Sequence, residues 1–207
     1  SSAANWFDFG NFNVTVLSNA ITSVMSGAIG INDYSSPNLK FTVARGATNG
    51  TDLLVSAGIF ESGGAPGITK EGDGTMLLSG ASTYTGTTTI SGGTVQLGDG
   101  GATGSLSASS AIVNNGTFAI NRSNSVTQGT DFSSAAITGT GSFTQAGTGT
   151  TTLTAANTYT GTTTVDKGTL SLGTSGNLTG TTSVTVNAGS TLLLGSSAPN
   201  SINANAA

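Results

Sequence analysis

Residues 71–98, EGDGTMLLSGASTYTGTTTISGGTVQLG, lie over residues 146–173, AGTGTTTLTAANTYTGTTTVDKGTLSLG, without a gap. The offset of 75 pairs Tyr84 with Tyr159, Gly86 with Gly161, Ile90 with Val165, Gly93 with Gly168 and Leu97 with Leu172. A chain that copies itself at a fixed period builds its core by stacking equal units, so the repeat constrains the fold more than any other feature. Downstream, Val113-Asn-Asn-Gly-Thr-Phe parallels Val186-Asn-Ala-Gly-Ser-Thr at an offset of 73, so the copies continue with a small length change in a turn.

Within each copy, short alternating runs such as Thr75-Met-Leu-Leu-Ser, Thr94-Val-Gln-Leu and Ser183-Val-Thr-Val are separated by glycine-rich corners. These runs read as strands, with few residues left for helices. A sandwich would use them too, but the repeat selects a parallel β-solenoid. Coils of ~20 to 25 residues predict about nine coils and a rod of roughly 45 Å. The divisions that follow are residues 1–52 for an N-terminal strand or cap and first coils, 53–127 for repeat copy 1, 128–195 for repeat copy 2, and 196–207 for a polar tail.

Only 7% of the 207 residues are charged, while glycine reaches 32. Ordinary soluble domains carry roughly 25% charge, so this surface is polar through hydroxyls and amides instead. Threonine suits a pleated half-exposed surface and glycine suits sharp corners. The five basic residues Lys40, Arg45, Lys70, Arg122 and Lys167 are scattered singly, which argues against nucleic acid as a partner. No apolar run reaches the ~18 residues of a membrane-spanning helix. The start Ser-Ser-Ala-Ala reads as a mature form left by a cleaved export signal, predicting a protein at the cell surface or outside the cell.

Cysteine and histidine are both absent. No disulfide framework is available, nor an imidazole or thiol for nucleophilic or acid-base chemistry, so the chain reads as non-enzymatic with no cofactor. The nearest approach to a catalytic cluster, Lys70, Glu71 and Asp73, is expected on a solvated corner. Calcium is the one ion the Gly-Asp turns at Asp73 and Asp99 could hold, although Asp-Gly is an ordinary turn dipeptide and copy 2 has Thr148 and Thr174 there. Gly139-Thr-Gly-Ser lacks the lysine of a phosphate loop and reads as a corner. Tyr84 and Tyr159, each followed two residues on by Gly86 and Gly161, are expected to pack at a corner that closes a coil. The alternative is stacking on carbohydrate.

Residues 72–97, with their second copy, resemble the autotransporter-associated β-strand repeat, and the lead-in Leu53-Leu-Val-Ser-Ala-Gly-Ile-Phe extends the likeness over most of residues 53–195. The resemblance implies a right-handed parallel β-helix in an exported bacterial surface protein, where such repeats form passive stalk without catalytic residues. Typical members are long and end in a membrane barrel, whereas the tail at 196–207 has no alternating barrel strand.

The ends carry the remaining signal. Trp6, Phe7, Phe9 and Phe12 form a dense aromatic patch, and Phe7 to Val14 and Val16 keep a period of two that reads as one strand with a bulge at Gly10-Asn11. A solenoid exposes unpaired ladder at both termini. The leading expectation is therefore end-to-end self-association into a filament by β-strand addition, through this strand and the last coil at Leu192, Leu193 and Leu194. The alternative folds residues 6–17 onto the chain's own first coil as a cap. That leaves a monomeric passenger-type stalk or an adhesin fragment for glycans or neighbouring surfaces.

Overall fold

A computed structural model describes residues 6–8, 13–32, 38–46 and 50–195. Every strand pairing among them is parallel, and no helix occurs. Parallel neighbours separated by one coil's length of chain define a β-solenoid, as the repeat predicts.

The backbone of the solenoid is a long sheet of eight strands, one per turn. In chain order it holds β3 (Ser23–Met25), β6 (Leu53–Val55), β9 (Thr75–Leu78), β11 (Thr94–Leu97), β13 (Thr117–Ile120), β15 (Ser142–Gln145), β18 (Thr163–Val165) and β21 (Val184–Val186). A second face stacks β2 (Val14–Val16), β5 (Asn38–Val43), β8 (Gly67–Glu71), β10 (Thr88–Ile90) and β12 (Ile112–Asn114). A third stacks β1 (Trp6–Asp8), β4 (Ala28–Asn32) and β7 (Ile59–Gly63). Towards the C-terminus a fourth sheet takes over, formed by β14 (Val126–Thr127), β16 (Thr150–Leu153), β19 (Thr169–Leu172) and β22 (Thr191–Leu194), with the small pair β17 (Ala156–Asn157) and β20 (Asn177–Leu178) beside it. About eight turns replace the expected nine, because the first full coil is long: Leu53 lies over Ser23, a step of 30 residues.

Alternation buries one side of each strand. On the long sheet Leu53, Met76, Val95, Phe118 and Phe143 stack in register, and Val55, Leu78, Leu97 and Ile120 form a second inner column. All are buried in the core, where the rings of Phe118 and Phe143 lie 6.1 Å apart. Stacking like side chains at the strand spacing lets one packing solution serve successive coils.

The corners between the second face and the long sheet are closed by glycine. The carbonyls of Gly74, Gly93 and Gly116 accept hydrogen bonds from Thr94, Thr117 and Ser142 in the coil above. Gly93 sits at φ 63° and its counterpart Gly168 at φ 61°. A Cβ at Gly93 would strike the carbonyls of Gly72 and Gly74, so backbone conformation and close approach both demand glycine here.

The second repeat copy does not sit on the faces of the first. Strands β8, β9, β10 and β11 correspond in sequence to β15, β16, β18 and β19. The first and third of these move from the second face to the long sheet, while the second and fourth move from the long sheet to the fourth sheet. The 75-residue repeat thus spans three coils and one extra face. The extra side enters after β13, where β14 and a turn through Gln128–Phe132 add a leg to the coil. Arg122 pairs there with Asp131 at 3.1 Å, and the other Asp131 oxygen accepts the Thr127 N–H. Buried Gln128 and Asn157 exchange amide hydrogen bonds at 3.0 and 3.2 Å, and they also bond the backbone of Thr154, Ala155 and Ile137. Side-chain amides supply the pairing that the interrupted ladders do not.

The N-terminal segment corrects the expectation of one bulged strand. β1 pairs with β4 and β2 pairs with β5, on two different faces. Both strands add to the chain's own next coil. Phe9 and Phe12, like residues 196–207, lie outside the described residues, and for Trp6 and Phe7 the backbone alone is described.

Candidate functional site

Tyr84 and Tyr159 are buried, and each hydroxyl bonds the threonine four residues on, Thr88 or Thr163, at 2.6 Å. Thr88 continues to Ser110 at 2.9 Å, whose hydroxyl donates to the Gly86 carbonyl. Thr163 continues to Thr181 at 3.1 Å, whose hydroxyl donates to the Gly161 carbonyl. The Tyr-Thr-Gly-Thr-Thr motif is therefore a buried hydrogen-bond chain from ring to corner, built twice. Burial pushes both phenols upward, opposed by the threonine hydrogen bonds. Neither ring presents a face on which a sugar could stack.

Lys70 corrects a second expectation, since it is buried instead of lying on a solvated corner. Its ammonium donates to the carbonyls of Glu71, Gly72 and Gly92 at 3.0, 2.7 and 3.1 Å. Burial lowers its pKa to about 8, against the opposing pull of Asp52 and Asp73. The signal was present in the alternation: Ile68 and Lys70 both face inward from β8. Asp73 itself is exposed, and Glu71 pairs with Lys40 at 3.4 Å.

The other Gly-Asp turn is filled in the same way. The Arg122 guanidinium donates to the carbonyls of Ala102 and Gly104 at 2.9 and 3.1 Å, placing a side-chain cation among the carbonyls of the 98–104 loop. Among the described residues, no group of three or more Asp or Glu comes together as a metal cluster.

The outer surface of the long sheet holds a groove of about 600 Å³. One edge carries the hydroxyls of Thr75, Thr94 and Thr117, which occupy matching register positions on β9, β11 and β13. Its floor is the neighbouring outward column of Leu77, Gln96, Ala119 and Thr144. Asp99, Asn121 and Asp166 line the far edge, and Arg45 stands at the end nearer the N-terminus. Gln96 is held by donating to the Gly98 carbonyl at 2.8 Å. No motif marked this groove, because its residues lie 19 to 25 apart in sequence and meet only through the coil register.

At the C-terminal end, Leu192 packs on the core, whereas Leu193 and Leu194 are 54% and 49% exposed. Val186 on β21 is exposed as well, and Leu17, Ile21 and Val24 are exposed near the N-terminal end. Val14 packs on the core and Val16 is buried within it.

The passenger-associated-transport-repeat matches residues 68–97 and 143–172. These segments run from β8 to β11 and from β15 to β19, the two blocks displaced by one face. The chain carries two segments that match this repeat. A curated relative, the adhesin BmaC autotransporter of Brucella suis biovar 1 (strain 1330), is 42% identical over 119 residues, covering 57% of this chain. The chain spans 3% of that relative's length. No solved structure gives a significant match. The passenger repeat thus has its structural meaning here in Gly-cornered strand pairs, each locked by a buried tyrosine.

Proposed function

We propose that this chain is a non-enzymatic stalk segment of an exported, adhesin-type surface protein, holding binding surfaces away from the cell. The observation that carries this reading is the pair of matches to the passenger-associated repeat, folded into one stack of parallel coils. Its likeness to part of an adhesin autotransporter supports the same role. A rod suits that task because each coil bonds the next through parallel strand pairs on more than one face, so bending requires breaking several ladder bonds together. Circular dichroism and small-angle scattering of the intact chain should give an all-β, elongated particle. A compact sphere would sink the reading.

A second reading is favoured by the apolar side chains exposed on the end coils, Leu17, Ile21 and Val24 at one end and Val186, Leu193 and Leu194 at the other. Copies of the chain would add end to end, with β22 of one extending the ladder of another. Light scattering over a concentration series separates the two. Growth of polymers that Leu193→Asp abolishes supports self-association, and a monomer at high concentration removes it.

A further inference from the structure

We propose that the groove on the long sheet binds a linear, uncharged oligosaccharide lying along the solenoid axis. The stalk reading requires no ligand on the sides of the rod, so this inference goes beyond it and rests on different residues.

The groove runs from β9 to Asp166, just past β18, across four strand spacings of ~4.8 Å, or about 19 Å. Its volume falls within the range of small-molecule sites. The side-chain oxygens of Thr75, Thr94, Thr117 and Thr144 make no hydrogen bond to another described residue, and all four face the groove. Those of Thr75, Thr94 and Thr117 form a row repeated once per coil, at the ~4.8 Å strand spacing that is comparable to one pyranose ring, and Thr144 extends it from the neighbouring column. Leu77 and Ala119, 6% and 5% exposed, alternate with Gln96 and Thr144 along the floor, so apolar and hydrogen-bonding positions take turns between the hydroxyl edge and the carboxylates. A pyranose offers the matching pair of surfaces, a C–H face for the floor and hydroxyls for the edges.

Other occupants fit less well. A peptide strand needs free backbone partners, and those of the long sheet are consumed by its own ladder. Anionic polymers meet Asp99 and Asp166 against the single cation Arg45. Sugar hydroxyls, in contrast, donate well to carboxylates.

The test is an NMR titration of the intact isotope-labelled chain with cellohexaose, maltohexaose and chitohexaose, and with hexagalacturonate as the anionic control. At least one neutral hexasaccharide should shift the amides of residues 94–96 and 117–119, while the control should not. Replacing Thr94→Val together with Thr117→Val should weaken that binding by about tenfold or more with the melting temperature unchanged. Gln96→Ala provides a second groove variant should the valine pair fail to fold. The proposal is overturned if no neutral hexasaccharide shifts any amide at millimolar concentration, if the shifts map to another face, if hexagalacturonate binds equally, or if folded groove variants keep full affinity.

Discussion

Lys70 and Gln145 occupy the same place in the two repeat copies, one as a buried ammonium and the other as a buried amide. Lys70 donates to three corner carbonyls, while Gln145 donates to those of Gly147 and Gly149 at 2.8 and 3.3 Å. The corner therefore needs donors that satisfy its glycine carbonyls, and charge is incidental to that need. The neighbouring inward position differs too, being Ile68 in copy 1 and Phe143 in copy 2. The motif conserves its hydrogen-bonding role while the faces around it change, which is how two copies can lie on different sides of one rod.

The largest effect should come from the residue that makes copy 2 the more aromatic. Phe143→Ala removes a ring stacked between Phe118 and Tyr159 and should cost about 3 to 5 kcal/mol by denaturant unfolding. Corner substitutions come next. Gly93→Val and Gly168→Val should each cost about 3 kcal/mol, by strained backbone and collision with carbonyls of the coil below. A clear inequality between them would break the equivalence of the two corners.

Removing one hydroxyl should have a smaller and equal effect in both copies. Tyr84→Phe and Tyr159→Phe each leave a buried threonine short of a partner, costing about 1 to 2 kcal/mol in calorimetric stability. The smallest effect separates the copies by pH. Lys70 binds its proton less tightly folded than unfolded, so stability should rise as pH increases from about 8 towards 10, by on the order of 1 kcal/mol. Above the ordinary tyrosine value of 10.0 the sign reverses, because the unfolded phenols ionise while buried Tyr84 and Tyr159 stay protonated. Lys70→Gln, which installs copy 2's solution in copy 1, should abolish the rise and leave the fall. A rise that persists in Lys70→Gln would show that the ammonium is not its source.

Strands and corners were legible from the repeat because alternation and glycine spacing are local properties. The face each strand occupies was not. Three sides built from strands of similar length look alike in sequence, and an offset of 75 is compatible with whole coils or with coils plus a side. The extra leg at Gln128–Phe132 is held by Arg122, Asp131 and Asn157, polar residues whose partners lie 9 to 29 positions away. Tyr84 was read as a corner residue, yet its bond to Thr88 depends on a coil closure that spacing alone does not reveal. The groove was invisible for the same reason, since Thr75, Thr94 and Thr117 align only once the register is known. At the N-terminus, the period of two ran on across two faces, so two strands imitated one.

The displacement of the copies by one face can be tested through cysteine pairs, since the chain has no native cysteine to interfere. Thr117 and Ser142 are register partners on β13 and β15 only if copy 2 begins on the long sheet. Thr150 would take the place of Ser142 if corresponding strands kept the same face. Thr117→Cys with Ser142→Cys should form an intramolecular disulfide under mild oxidation, while Thr117→Cys with Thr150→Cys should not. Rapid closure of the second pair and none of the first would contradict the displacement.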